Sequence, residues 1–149
     1  MPSATVTQTT LATPVAGTGP AFSASAVGTF SIAANTWTKL TFNTEQFDTN
    51  NNYDSTTNYR FTPTVAGYYQ FNFVNAQLLA GTGYLSIYKN GNSGTNQYGA
   101  SANPSGSTVL YMNGSTDYVE VYAYNSSVLS GGAASSTLVC FSGALVRAA

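Results

Sequence analysis

Alternation of apolar and polar residues with a period of two marks the clearest strands of this chain, because successive side chains of a strand point to opposite faces. Tyr69, Phe71 and Phe73 share one face of the segment 68–74, and Gln70 and Asn72 share the other. Thr, Tyr, Phe and Val are frequent from residue 21 onward, and Glu and Lys are scarce. Many short strands of this kind are typical of an all-β sandwich or barrel. The predicted strands are Phe22–Ala26, Gly28–Ile32, Thr36–Phe42, Tyr59–Pro63, Gly67–Leu79, Gly83–Lys89, Gln97–Ala102, Ser107–Met112, Tyr118–Asn125 and Thr137–Val146.

Residues that favour turns separate these segments. The predicted turns are Asn90-Gly91, Asn92 to Gly94, Asn103 to Gly106, Asn113-Gly114 and Gly131-Gly132. Residues 1–20 are small and polar and show no period, so we expect an extended N-terminal arm there. A disordered terminus is an equally simple interpretation. Residues 21–149 then form a single domain.

A row of tyrosines lies on one face of the strand predicted at 118–125. Val119, Val121 and Ala123 form the small aliphatic face that suits a core. Tyr118, Tyr122 and Tyr124 lie on the opposite face. Exposed aromatic rows are typical of contact surfaces, so these tyrosines are candidate subunit-interface residues. The alternative is that neighbouring strands cover them.

Composition excludes several classes of protein. Charged residues make up 6% of the chain, against roughly 25% in ordinary globular proteins. Four Lys and Arg residues cannot form the basic face that nucleic acid requires. The chain has no His and a single Cys, so it has neither a His-dependent triad nor an internal disulfide.

The same survey finds no membrane span and no secretory signal. No apolar run approaches about 18 residues, and the first twenty residues lack a basic start and an apolar segment. A surface with so little charge repels its neighbours weakly, which favours a protein held in a fixed assembly or working outside a cell.

Candidate chemistry is sparse. Asp48, Asn50, Asn52 and Asp54 space oxygen ligands two residues apart, which makes them a weak candidate for Ca²⁺. They lack the glycine and the terminal Glu of an EF-hand loop, and the alternative is a solvated loop whose side chains cap turns. We expect Cys140 to be a buried, inert thiol, and Trp37 to serve the core or an interface before any sugar platform. We therefore expect no enzymatic activity, no cofactor and no established metal.

The spacing of aromatic and glycine residues resembles the C1q domain family over roughly residues 21–147. A Phe-x-Pro-x-x-x-Gly-x-Tyr run begins at Phe61, and an Asn-Gly pair ends the strand that begins at Leu85. The sequence departs from the family pattern at 114–117, where Gly-Ser-Thr-Asp replaces Gly-Asp, and by one extra residue between Tyr53 and Phe61. The core signature consists of Phe42, Tyr53, Phe61, Gly67, Tyr69, Phe71, Phe73, Phe141 and Gly143, with Asp48 at a further signature position.

The resemblance implies a ten-stranded jelly-roll β-sandwich of the C1q/TNF type that assembles as a homotrimer. In such a trimer Tyr118, Tyr122 and Tyr124 would line the threefold axis. The run from Gly17 to Ala24 and the Asn- and Thr-rich style are similar to C1q-like domains of bacteriophage proteins. We therefore expect a trimeric cement or decoration protein on the outer capsid surface of a virion, with itself and the major capsid protein as partners.

Two other functions compete with this one. The first is a receptor- or glycan-binding tip of a phage tail fibre or spike, whose partner would be a host cell-surface glycan. The second is a secreted host protein with a C1q-like domain, which the missing signal, disulfides and collagen-like stalk disfavour. No nucleic acid or membrane insertion is expected in any of the three.

Overall fold

The computed structural model describes residues 18–75, 83–100, 105–133 and 139–149. Within these residues the chain forms thirteen strands and no helix, and so contains no helix able to cross a membrane. The strands are β1 (Ala21–Ser25), β2 (Gly28–Ile32), β3 (Thr38–Lys39), β4 (Thr44–Asp48), β5 (Tyr53–Asp54), β6 (Arg60–Phe61), β7 (Gly67–Asn75), β8 (Gly83–Lys89), β9 (Asn92–Ala100), β10 (Ser105–Met112), β11 (Val119–Asn125), β12 (Leu129–Ala133) and β13 (Val139–Ala148).

The strands form two main antiparallel sheets with a jelly-roll order. The five-stranded sheet runs β10-β7-β13-β1-β4. The six-stranded sheet runs β5-β6-β11-β8-β9, and β3 pairs with β11 beside this path. A separate ribbon joins β12 to β2. The fold is the predicted all-β sandwich, in which β2, β3 and β12 supplement two paths of five strands.

Aromatic side chains from both sheets fill the space between them. The ring of Phe22 on β1 stacks on Phe61 of β6 at 4.4 Å between centroids and meets the edge of Phe141 on β13 at 4.9 Å. Such offset and edge-on pairs add to the free energy of burying the rings themselves. All nine residues of the core signature are buried in this layer or at its rim: Phe42, Tyr53, Phe61, Gly67, Tyr69, Phe71, Phe73, Phe141 and Gly143.

The glycine at position 143 is explained by this aromatic packing. A Cβ atom there would lie 2.6 Å from Cδ1 of Phe71 and 2.9 Å from Cε1 of Phe22. Carbon atoms in proteins do not approach this closely, so a side chain would displace both rings. A residue without a side chain is therefore required where β13 crosses the centre of the core.

Two predicted turns are wrong. Gly131-Gly132 lies inside β12, and Asn92 to Gly94 forms the start of β9. In both cases the ladder to a neighbouring strand outweighs the turn preference of the local residues. The sequence pattern did not predict β4, β5 and β12, because their residues do not alternate between apolar and polar.

Other local predictions fall partly or wholly outside the described residues. Residues 1–17 of the predicted arm do so, and so do the turn residues Asn103 and Pro104. The end of the predicted arm is attached to the sheet, because Pro20 is buried and its carbonyl accepts a hydrogen bond from the N–H of Leu145 at 3.0 Å. Cys140 is half-buried rather than buried, since it lies on the opposite face of β13 from Phe141.

Candidate functional site

The carboxylates of the candidate cation loop cap the backbone of their own turns. Asp48 accepts hydrogen bonds from the N–H of Asn50 at 3.2 Å and of Tyr53 at 2.6 Å. Asp54 accepts from the N–H groups of residues 56, 57 and 58 at 2.9–3.0 Å. The backbone N–H groups of Thr57 and then Thr56 lower the pKa of Asp54 below its usual range.

The two asparagines among the candidate ligands, Asn50 and Asn52, are engaged in the same way. Asn52 Oδ1 accepts from the N–H of Thr64 at 3.2 Å, and its Nδ2 donates to the carbonyl of Asn50 at 3.1 Å. Asn50 Oδ1 accepts from the hydroxyl of Thr49 at 2.8 Å. Nowhere in the described ranges do three or more His, Cys, Asp or Glu residues gather as metal ligands. These side chains organise the loop, and Ca²⁺ binding by them stays a prediction.

A polar cleft of about 530 Å³ opens beside this loop. Asn51, Asp54 and Asn58 line it from the loop, Arg60 lines it from β6, and Glu45 lines it from β4. Sequence inspection missed Glu45 and Arg60, because strands that are distant in sequence bring them together. Every other lining residue carries a hydroxyl, amide or phenol group.

Three tyrosines, Tyr118 just before β11 and Tyr122 and Tyr124 on β11, lie on the outer face of the six-stranded sheet, as the alternation predicts. Tyr118, Tyr122 and Tyr124 are half-buried. Tyr122 donates to Oε2 of Glu120 at 3.3 Å, and Tyr124 donates to Oδ1 of Asn35 at 3.0 Å. Burial, followed by the nearby Glu120 carboxylate, raises the pKa of Tyr122 to about 12.

Further aromatic residues complete this outer face. The ring of Tyr122 stacks on that of Tyr88, with 4.1 Å between centroids. Trp37 lies 6.0 Å from Tyr88 and 5.6 Å from Tyr124, so it joins this cluster rather than the core between the sheets. An ion pair of 2.7 Å between Lys39 and Glu120 adds opposite charges to the face. The structure therefore brings the three predicted interface tyrosines together, but largely against partners within their own chain.

A more exposed apolar surface lies on the other side of the molecule. The outer face of the five-stranded sheet carries large apolar side chains that are each 45–51% exposed. We call this surface the five-stranded face, and its exposed apolar residues are Phe47, Tyr68, Val109, Tyr111 and Val146. A shallow cavity of about 170 Å³, lined partly by Ala21, Ser142 and Ala144, lies between Phe47 and the remaining residues.

The sequence of β10 contains a pattern that points to this face. Val109 and Tyr111 alternate with Leu110 and Met112 along β10. Both alternating sets are apolar, so the pattern does not say which set faces solvent. Pairing with β7 shows that Val109 and Tyr111 face solvent, because Tyr111 lies opposite the exposed Tyr68, whereas Leu110 lies opposite the buried Tyr69.

Comparisons with known proteins agree with this architecture. The sequence profile of the C1q domain matches residues 21–146. Among solved structures, PRD1 vertex protein P5 has a TM-score of 0.52 and 16% sequence identity, and the alignment covers 88% of this chain and 99% of that one. Murine APRIL, crystallised at pH 8.0, has a TM-score of 0.62 at 10% identity over 85% of this chain and 98% of that one.

Eiger TNF from S. frugiperda has a TM-score of 0.59 at 8% identity, over 88% of this chain and 93% of that one. No curated protein sequence matches the chain. Identities this low establish a shared fold and nothing finer.

Proposed function

Because the chain belongs to the C1q domain family, we propose that it is a structural protein of a bacteriophage particle. In this proposal it forms a homotrimer that decorates the outer capsid surface and stabilises the shell. The observation that carries the proposal is the five-stranded face, whose exposed apolar residues need a partner surface. The phage assignment draws on the similarity of fold to PRD1 vertex protein P5.

The five-stranded face is suited to self-association. Between its exposed apolar residues, outward positions on β7 and β13 carry the uncharged side chains Gln70, Asn72, Ser142 and Ala144. Burial of this largely uncharged surface would release water, and Arg147, which is exposed and lies opposite Tyr68, places one cation beside it. The exposed ring of Phe47 borders a cavity whose lining includes the small residues Ala21, Ser142 and Ala144, so the face has both a protrusion and a recess.

The three tyrosines at 118, 122 and 124 remain a second candidate for the subunit interface. Their rings are half-buried and at least two of their hydroxyl groups already have acceptors within the chain. Less apolar area is therefore left on them for a partner than on the five-stranded face. This difference favours the five-stranded face as the trimer interface.

The proposed mechanism uses binding energy and no catalytic step. Trimers would contact neighbouring copies of the major capsid protein and resist their separation. The residue 1–20 arm would dock on the shell or exchange between subunits. Ordering such an arm costs about 1–2 kcal/mol per residue, so the docked arm must make extended contacts.

The decisive measurement is the number of copies per purified particle, determined by quantitative mass spectrometry against the major capsid protein. We expect the high copy number of a surface coat, in a simple ratio to the shell protein. A copy number typical of tail fibres would contradict the decoration role and support a receptor-binding tip. Absence of the protein from particles would contradict both virion roles.

The second candidate function is that receptor- or glycan-binding tip. The polar cleft beside Arg60 and the aromatic cluster around Trp37 favour it, because hydroxyl, amide and aromatic groups suit sugars. The two functions are compatible on one particle, since the cleft is lined mainly by residues 51–64 and the five-stranded face by other strands.

A further inference from the structure

The cleft beside residues 51–64 holds charged groups that the rest of the described chain leaves unpaired. The guanidinium of Arg60 lies 4.3 Å from the ring centroid of Tyr118, and no described residue accepts a hydrogen bond from it. The carboxylate of Glu45 is exposed and likewise has no donor among the described residues. Both side chains line the cleft. Five N–H donors and a carboxylate are thus available to a ligand.

An irregularity in β4 turns Glu45 toward this cleft. The register between β1 and β4 shifts so that Phe47 lies opposite Ser23, whereas Glu45 lies opposite Ala24. Ala24 faces the core and Ser23 faces outward, so Glu45 and Phe47 leave the strand on different sides. Glu45 accordingly lines the polar cleft, and Phe47 lines the recess of the five-stranded face.

The floor of the cleft is organised before any ligand arrives. The carboxylate of Asp54 is occupied by the N–H groups of three following residues. The backbone takes positive φ at Asn51 (53°) and Tyr59 (50°), one on each side of the loop that Asp54 caps. A cleft held by its own hydrogen bonds loses little conformational entropy when it binds a ligand.

We propose that this cleft binds a neutral saccharide. Guanidinium and carboxylate groups each present two hydrogen-bonding atoms in one plane, which matches a pair of neighbouring sugar hydroxyls. The lining sets the cation of Arg60 against the carboxylates of Glu45 and Asp54, so it offers no net positive charge to attract a polyanion. Asn51, Asn58 and Thr62 add amide and hydroxyl groups to the lining. A volume of about 530 Å³ falls in the range of small-molecule sites, roughly 300–1,000 Å³.

The site does not depend on the proposed role in a capsid. It would be present in a decoration protein, in a fibre tip or in an isolated trimer, because it is built within one chain. A negative result with sugars would therefore not contradict the proposed role in a capsid. A low copy number per particle would likewise not contradict the saccharide site.

The test uses backbone-amide NMR of the full chain and three separate probes: the methyl glycosides of glucose, galactose and rhamnose. We expect at least one probe to give saturable shifts at the amides of Asn51, Asn52 and Thr62. Arg60→Met should weaken that binding about tenfold, since it removes a charge-assisted bidentate contact of about 1.4 kcal/mol. Glu45→Gln should weaken it as well, and this exposed position tolerates the change.

The matched control is Arg147→Met, because Arg147 is the other arginine of the chain and lies on β13, outside the cleft. The Arg147→Met variant should bind the probe with the same affinity as the original chain. The proposal is overturned if no probe gives saturable shifts in the cleft, or if glycerol gives the same shifts. It is also overturned if Arg60→Met and Glu45→Gln both leave the affinity unchanged. Shifts produced by CaCl₂ and by no sugar would assign the loop to a cation instead.

Discussion

At the scale of single residues, Asp117 holds together the end of the sandwich where β8, β10 and β11 meet. Its carboxylate forms an ion pair with Lys89 at 2.8 Å. It also accepts hydrogen bonds from Nδ2 of Asn90 at 2.7 Å and from the N–H of Asn113 at 3.0 Å. Burial acts to raise the pKa of Asp117, but these partners outweigh it and lower the pKa below its usual range.

Asp117→Asn should therefore lower the free energy of unfolding at neutral pH by about 1–3 kcal/mol. A carboxyl whose pKa is lower in the folded state contributes stability above its unfolded pKa, near 3.9. That contribution disappears as the pH falls through the lower folded value. The difference in free energy of unfolding between the original protein and Asp117→Asn should thus be largest at neutral pH and decrease in acid. Urea unfolding across this pH range measures it.

Glu45→Gln is the control for Asp117→Asn, since Glu45 is exposed and forms no ion pair within the described ranges. Its free energy of unfolding should stay within about 0.5 kcal/mol of the original. A loss for Asp117→Asn that is the same at every pH would show that shape, and not charge, is responsible. Equal losses for both variants would contradict the role assigned to Asp117.

At the scale of elements, the turn between β8 and β9 is a two-residue hairpin connection. Asn90 and Gly91 both have positive φ, 53° and 74°. This is the conformation of a type I′ turn, whose twist matches that of the flanking strands. Asn90 Oδ1 also accepts from the N–H of Tyr118 at 2.9 Å, which ties the turn to the start of β11.

Gly91→Ala should destabilise the protein by about 1–2 kcal/mol, because alanine is strained in the left-handed conformation. The new Cβ would lie 3.4 Å from the hydroxyl of Tyr118, so steric conflict contributes little. Gly91→Asn is the matched control, since asparagine tolerates this conformation better than alanine does. Thermal unfolding of the two variants compares them. If both variants lost the same stability, the destabilisation would come from adding a side chain and not from strain in the backbone.

Prediction of elements from the sequence succeeded where one face of a strand is clearly apolar or a turn has a strong signature. The predicted bounds of β2 and β8 agree with the structure. β4 was missed because its residues Thr44–Asp48 are polar at four of five positions and lie at the edge of a sheet. Two-residue strands such as β5 leave no periodic signal at all.

The candidate site was less predictable than the fold. The spacing of Asp48, Asn50, Asn52 and Asp54 drew attention to the loop that borders the cleft. Their side chains cap turns there, and Ca²⁺ binding by them stays a prediction. The cleft depends on the register shift in β4 and on the pairing of β5 with β6. Neither feature can be obtained from local sequence, because both depend on contacts between separate strands.

At the scale of the whole molecule, the two outer faces of the sandwich differ in how far their side chains find partners within the chain. The six-stranded sheet places aromatic rings against one another and pairs Lys39 with Glu120. The five-stranded face leaves its apolar residues 45–51% exposed. A monomer gains nothing from this exposure, whereas an oligomer gains the free energy of burying it.

Tyr111→Lys should therefore convert the proposed trimer to single chains, because an interface built on the five-stranded face would bury the new lysine without a partner. Sedimentation analysis should give three times the 15.5 kDa chain mass for the original protein. It should give one chain mass for the variant, with an unchanged circular dichroism spectrum. Tyr84→Lys is the control. It places the same charge opposite Tyr124, on the outer face of the six-stranded sheet, and should leave the trimer intact.

The same pair of variants decides between the two candidate interfaces. A lysine at position 84 would enter any interface built on Tyr118, Tyr122 and Tyr124, since β8 and β11 are neighbours in register. Dissociation by Tyr84→Lys alone would assign the threefold axis to those tyrosines and refute the five-stranded face. A single chain mass for the original protein would refute both. Dissociation by Tyr111→Lys alone would place the interface on the five-stranded face. In the trimer of the original protein the six-stranded sheet would then face solvent, and its aromatic cluster and the polar cleft would be accessible to a ligand.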